Sequence, residues 1–181
     1  MNVEALIRRL ERFPAALAGV VDVVLPDEAR TKPASGAWSI LEIVCHLVDE
    51  EREDFRVRLA STLRDPAMPW PPIDPEGWAR ERRYAERDLG AMVAYFGVER
   101  RASIEWLRSF AGPAELRGNP GCNWSAVRQH PTLGPIRAGD LLASWTAHDA
   151  LHLRQIAKRL HELAANDAPE FSTRYAGEWR A

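Results

Sequence analysis

Hydrophobic residues recur every three or four positions through four long stretches of the chain, which is the spacing of one face of an α-helix. The stretches run over residues 3–24, 39–64, 84–111 and 138–165. In the first, Pro14 interrupts the stripe and predicts a kink or a split into two helices. The pattern predicts an all-α fold, a four-helix bundle in which residues 1–181 form a single domain.

The helix boundaries differ in how clearly they are marked. The sequence WSILE marks the start of the second helix, because Ser39 can accept from the amide of Glu42 while the Glu42 side chain reaches back to Ser39. The second helix should end at Asp65-Pro66 and the third at Gly112-Pro113.

The connections between the predicted helices are long, at about 14, 19 and 27 residues, whereas helix hairpins usually need about 2 to 8. Long connections permit crossovers, so the helices need not follow one another up and down. The connection Asp65–Trp78 contains five prolines and two tryptophans and should be stiff and irregular. It could pack over one end of the bundle or line the mouth of a pocket.

Composition excludes several classes of protein. The chain is 46% hydrophobic and 28% charged with a net charge of -2. Lys and Arg alternate with Asp and Glu, so no basic face for nucleic acid is expected. No run approaches the roughly 18 apolar residues of a membrane span, and the charged N-terminal turns do not resemble a signal peptide. With only Cys45 and Cys122 and no zinc-ribbon spacing, we predict a cytoplasmic protein.

Two histidines lie on the apolar face of the fourth helix, in the sequence TAHDALHLRQI. At about 100° per residue, His148 and His152 lie only about 40° apart on the helix and share a face with Trp145 and Ile156. They could be two core histidines that each have a hydrogen-bond partner. Alternatively, a divalent cation could serve as the one partner that both neutral imidazoles share.

A third ligand would strengthen the metal interpretation, and His46 is the candidate because it borders the apolar stripe of the second helix. His161 lies on the opposite flank of the fourth helix and is expected to face solvent. His130 precedes Pro131 and is predicted to be a loop or capping residue. The spacing leaves both a metal site and satisfied core histidines possible.

Several motifs in this order resemble the DinB/YfiT-like superfamily of metalloenzymes. These are GAWSILEIVCHLVDEERED, then HPTLG, then HDALHLRQIAKRL, and the resemblance extends from about Val3 to Leu163. It implies a four-helix bundle with crossover connections and a divalent metal held near one end by three residues. Carried over by position, these are His46, His148 and His152. Zn, Ni, Fe and Mn remain open, because an all-histidine set does not select among them.

The resemblance also implies a range of activities. Some relatives are S-transferases that use low-molecular-weight thiols such as bacillithiol or mycothiol, and others are isomerases that use such thiols. We therefore expect a metal-dependent thiol S-transferase that acts on a small-molecule substrate, with homodimerisation implied but no face assigned. The alternatives are a non-catalytic metal-binding stress-response protein and a metal-dependent hydrolase. The hydrolase interpretation rests on HDALH, which resembles HExxH with Asp149 in place of the glutamate.

Two carboxylates could assist the metal. Asp149 faces the core and could accept a hydrogen bond from a ligand histidine, or it could be a partly exposed helix acid. Glu50, one turn after His46, could be the catalytic proton acceptor. It could equally belong to a solvated acidic face with its neighbours Asp49, Glu51, Glu53 and Asp54. Arg154 and Gln155 are assigned to surface ion pairing and to packing.

Overall fold

A computed structural model describes residues 1–65, 67–111, 122–177 and 179. The helices and strands, in chain order, are α1 (Val3–Val21), α2 (Pro26–Arg30), α3 (Ile40–Asp49), a π-helical segment (Glu50–Phe55), α4 (Arg56–Arg64), α5 (Pro75–Glu81), α6 (Leu89–Ala111), β1 (Val127–His130), β2 (Gly134–Arg137) and α7 (Ala138–Asp167). The predicted four-helix bundle is confirmed. Its members are α1, the continuous arm formed by α3, the π-helical segment and α4, then α6, and α7. Helices α1 and α3 each pack against both α6 and α7.

Helix α1 continues through Pro14 without a break. The prediction of a split at this residue is therefore wrong. Phe13 and Leu17, on either side of the proline, are buried in the core and hold both halves of the helix against the bundle. The helix ends at Val21, three residues before the predicted end.

The second arm begins with the predicted reciprocal cap. Ser39 Oγ accepts from the amide of Glu42 at 3.3 Å, and Glu42 Oε2 accepts from the amide of Ser39 at 2.9 Å. The predicted single helix over residues 39–64 is interrupted by the π-helical segment, which places more residues in each turn than an α-helix does. As a result the segment's buried residues are Glu50, Glu51, Asp54 and Phe55. The prediction of a solvated acidic face is wrong for these acids and for the buried Asp49.

Short elements shape the connections. The third long helix begins at Leu89 rather than residue 84, because Tyr84–Glu86 forms a 3₁₀ turn after Arg83, whose φ is 50°.

In the Pro-rich connection, Trp78 is buried and Trp70 Nε1 donates to Thr62 Oγ1 at 3.0 Å. This segment therefore packs against the bundle. Helix α4 ends at Arg64, and the predicted end of the third helix at Gly112-Pro113 lies outside the described residues.

A β-hairpin that the sequence pattern does not predict precedes α7. Strands β1 and β2 pair antiparallel, with His130 opposite Gly134. His130 Nδ1 accepts from the amides of Thr132 and Leu133 at 3.1 and 3.2 Å, so this side chain closes the turn as expected of a capping residue.

Two apolar clusters form the core. Along α6, α7 and the second arm, a buried charged residue lies between the two clusters. On α6 the clusters contain Phe96 and Ile104, and Arg100 lies between them. On α7 they contain Trp145 and Ile156, with Asp149 between. Glu51 occupies the same place on the second arm. We call Glu51, Arg100 and Asp149 the buried charged layer. Among the described helices, none combines the length and apolar character that crossing a membrane requires.

Candidate metal centre

Three histidines from two helices converge inside the bundle. His46 is supplied by α3, and His148 and His152 by successive turns of α7. One ring nitrogen from each lies within 4.8 Å of the other two. Nε2 of His148 and Nε2 of His152 are 2.9 Å apart, and the His46 ring centroid is 4.7 Å from that of His152. The predicted ligand set is thus brought together in space.

The protonation of the three rings suits a divalent cation. Burial, followed by the neighbouring histidines, lowers the pKa of His46 to about 2. Burial also lowers the pKa of His148 to about 3 and that of His152 to about 4. All three imidazoles are therefore neutral at pH 7, which is the form that donates a lone pair to a metal.

The spacing of the nitrogens also fits. With metal–nitrogen distances of about 2.0 to 2.1 Å, two ligand nitrogens lie roughly 2.9 to 3.4 Å apart for angles between 90° and the tetrahedral value. The 2.9 Å between His148 and His152 falls in that range. Nδ1 of His46 is buried and has no hydrogen-bond partner among the described residues. The donor set therefore fits a divalent cation.

A hydrogen bond orients one of the rings. Nδ1 of His152 lies 2.8 Å from Oε1 of Gln155, and this oxygen can only accept. The proton is therefore on Nδ1, and Nε2 presents its lone pair towards His148. The assignment of Gln155 to packing is wrong, because its side-chain oxygen fixes the tautomer of His152.

Aromatic side chains cover the other rings. The Trp38 ring lies 4.6 Å from that of His46, and the Phe55 ring lies 5.0 Å from that of His148. They limit the access of water to the histidines.

Glu50 is the carboxylate beside the cluster. Its Oε1 lies 3.8 Å from Nδ1 of His46 and has no hydrogen-bond partner in the described part of the chain. The side chain is 4% exposed, and burial, together with the charge and hydrogen bond of Asp54, raises the pKa of Glu50 to about 9. Glu50 therefore binds a proton strongly, next to the position a metal would take.

The sequence left two interpretations of Asp149 open, a hydrogen bond to one of the three histidines and a partly exposed helix acid. Both are wrong, because Asp149 is buried and its carboxylate pairs with Arg100. Both of its oxygens accept from Arg100, at 2.7 and 2.9 Å. Arg100 Nε also donates to Glu51 at 2.9 Å, and the second Glu51 oxygen accepts from Trp145 Nε1 at 3.0 Å. A guanidinium offers a fork of donors that a single imidazole N–H cannot match.

The sequence interpretation missed Arg100. A signal was present, since Arg100 lies four residues after Phe96 and four before Ile104 and so on the apolar stripe of α6. A charged residue in such a stripe predicts a buried ion pair.

The remaining candidates lie away from the cluster. The prediction that His161 faces solvent is wrong, because it is half-buried with its ring 6.0 Å from that of Trp179. His130 lies in the hairpin. Burial raises the pKa of Cys45 to about 12, so this thiol stays protonated and behaves as a small core residue.

The sequence profile of the DinB superfamily matches residues 9–156. The chain belongs to the DinB superfamily. YfiT of Bacillus subtilis (strain 168), a candidate metal-dependent hydrolase, is 28% identical over 89 residues, which are 49% of this chain and 49% of YfiT. The DinB chain thus aligns with about half the length of this curated relative.

The structural comparison extends further. The structure of YfiT from Bacillus subtilis, described as a probable metal-dependent hydrolase with an unusual four-helix bundle topology, matches with a TM-score of 0.75 at 20% identity. The match covers 90% of this DinB chain and 87% of YfiT. At this identity the likeness establishes the shared fold alone.

Proposed function

We propose that this DinB protein is a metal-dependent enzyme in which His46, His148 and His152 bind one divalent cation and leave coordination positions open to a small-molecule substrate. The observation that supports this most is the convergence of three neutral imidazoles within 4.8 Å in a largely buried site. When bound, such a cation lowers the pKa of a coordinated water or thiol and so supplies a nucleophile at pH 7.

The residues around the cluster have distinct tasks in this proposal. Gln155 keeps His152 in the tautomer that binds metal. Trp38 and Phe55 exclude water from the other two rings. Glu50, within 3.8 Å of His46, would lose its own proton under the charge of the bound cation, and the resulting carboxylate receives the proton that the nucleophile loses.

We propose thiol S-transfer as the reaction. The sulfur of a low-molecular-weight thiol forms a bond to an electrophilic carbon, the leaving group departs with its electron pair, and Glu50 takes the thiol proton. The resemblance of the histidine motifs to those of DinB-like S-transferases supports this choice. Hydrolysis, with water in place of the thiol, is the second candidate, because YfiT is described as a probable metal-dependent hydrolase.

A protease and a non-catalytic protein are less well supported. A protease of the HExxH type would need Asp149 as its base, and Arg100 occupies both Asp149 oxygens. A non-catalytic metal-binding stress-response protein would hold the metal with the same histidines and leave its open coordination position unused, so an activity assay on metal-loaded protein separates it from an enzyme.

Elemental analysis of tag-free protein purified without chelator tests the site. We expect a stoichiometric divalent metal, among Zn, Ni, Fe and Mn, in the wild type and in the His161→Ala control. His46→Ala, His148→Ala and His152→Ala should each lose most of it while remaining helical. Metal contents of these three variants equal to that of the control would contradict the site.

The reaction is tested on metal-loaded protein. Metal-dependent loss of free thiol with an electrophile, abolished in His152→Ala, would support S-transfer. Cleavage of ester or amide substrates without thiol would favour hydrolysis instead. A fully metallated protein that does neither would favour the non-catalytic metal-binding protein.

A further inference from the structure

A cavity of about 1010 Å³ lies beside the three histidines. Its walls include Lys32 and Trp38 from the connection after α2, Arg80 from α5, and Arg154, Gln155 and Lys158 from α7. Two of these residues also contact the metal centre. Gln155 accepts from His152 at 2.8 Å, and the Trp38 ring lies 4.6 Å from that of His46. The cavity therefore adjoins the histidine cluster.

The charge of the cavity wall is predominantly positive. Three of its cations are paired with acids, namely Lys32 with Glu42 at 2.9 Å, Arg83 with Glu86 at 3.2 Å and Arg159 with Glu162 at 3.0 Å. The other three are Arg80, Arg154 and Lys158, which are exposed and have no acidic partner within 4.0 Å among the described residues. Among the described residues of the wall, Glu76 is the only acid without an ion pair that could offset the charge of these three cations.

We infer that this cavity binds a small molecule with two or more negative charges, carried as carboxylates or phosphate, and holds it through Arg80, Arg154 and Lys158. The inference rests on the proposed function, since it makes this anion the substrate or co-substrate of the metal centre. Clefts lined by one sign of charge concentrate ligands of the opposite sign, and guanidinium groups match carboxylate and phosphate oxygens in pairs. The volume lies at the upper end of the roughly 300 to 1,000 Å³ typical of small-molecule sites.

The test uses calorimetric titration of the whole chain, metal-loaded and metal-free, with succinate, inorganic phosphate and the neutral analogue succinamide. We expect saturable binding of at least one anion in both forms, weakened by added NaCl, and no binding of succinamide. The tighter of the two anions identifies the carboxylate or the phosphate as the preferred group. Absence of anion binding, or equal binding of succinamide, would overturn the inference.

A charge-matched pair of variants localises the binding. Arg154→Gln/Lys158→Gln should weaken it by about tenfold or more, because two charge-assisted contacts are lost. Arg9→Gln/Arg101→Gln removes the same net charge from exposed positions on α1 and α6 and should leave binding within about twofold. Equal weakening in both would contradict a site in the cavity.

The two proposals fail in different ways. A wild type that binds succinate but no metal would refute the metal enzyme and leave the anion site standing. Full metallation together with failure to bind either anion would refute the anion site alone.

Discussion

The side-chain oxygen of Gln155 accepts a hydrogen bond from Nδ1 of His152 at 2.8 Å, while Nε2 of the same ring lies 2.9 Å from Nε2 of His148. One contact determines the other, because a neutral imidazole protonated on Nδ1 carries its lone pair on Nε2. Gln155 thus leaves Nε2 of His152 free to bind the proposed metal, and it also lines the adjoining cavity.

Replacing Gln155 with Leu should therefore weaken metal binding by about 10- to 100-fold, the usual effect of losing a hydrogen bond to a ligand histidine. Gln155→Glu should restore most of the affinity, because a carboxylate also accepts from Nδ1. Competition with a chromophoric chelator measures both. Gln129→Leu, an exposed position on β1, is the control, and an affinity of Gln155→Leu equal to that of the control would contradict this role.

The stability of the metal-free protein should depend on pH through the histidine cluster. Burial lowers the pKa of His46 to about 2, whereas an unfolded chain titrates its histidines near 6.5. The unfolded state therefore binds more protons below pH 6.5, and the free energy of unfolding should fall as the pH falls from about 6.5 towards 4. Each such histidine contributes up to about 1.4 kcal/mol per pH unit.

Urea unfolding of metal-free protein between pH 7 and pH 5 measures this dependence. His46→Gln should show a shallower decline than the wild type by the contribution of one histidine. Glu50 has the opposite effect, because its raised pKa of about 9 stabilises the folded state as the pH falls from 7 to 5. This effect is common to the wild type and His46→Gln, so it cancels when the two are compared. Parallel curves for wild type and His46→Gln would show that this ring is not held neutral.

Glu50 should give up a proton when metal binds. In the metal-free protein its pKa of about 9 keeps it protonated at pH 7.5, and a cation beside His46 favours the carboxylate. Calorimetry in buffers of different ionisation enthalpy should detect about one more proton released by the wild type than by Glu50→Gln. Glu53→Gln is the control, because Arg82 holds the pKa of Glu53 below its usual range. An unchanged proton count in Glu50→Gln would exclude Glu50 as the source.

Local sequence signals predicted the parts of the fold that local interactions determine. The apolar stripes gave the long helices, and the reciprocal cap of Ser39 and Glu42 formed as predicted because its partners are three residues apart. The one-turn spacing of His148 and His152 placed both on one face for the same reason. His46 joined them because its helix packs against α7, which the resemblance implied and helix periodicity alone did not.

Features that depend on distant partners could not be predicted in this way. The π-helical segment turns Glu50, Glu51 and Asp54 inward, although α-helical periodicity left them on a solvated face. Glu51 finds its partner in Arg100, 49 residues away in the chain, and that contact compensates for burying a carboxylate. The hairpin of β1 and β2 escaped prediction because its four-residue strands carry no clear alternation of apolar and polar residues.

The stability of the folded protein should depend on the buried charged layer. Arg100 is 2% exposed and supplies the guanidinium for Glu51 and Asp149, so Arg100→Met leaves two carboxylates buried without it. We expect a loss of about 3 to 5 kcal/mol in the free energy of unfolding at pH 7, the usual cost of removing one partner of a buried ion pair. Urea unfolding measures this loss. Arg101→Met is the control, because this neighbour on α6 is exposed and its replacement should change stability by no more than about 0.5 kcal/mol.

Adding Glu51→Leu and Asp149→Leu to Arg100→Met should recover much of the loss, since no unpaired charge remains in the layer. Equal stability of Arg100→Met and Arg101→Met would show that the two carboxylates do not depend on Arg100.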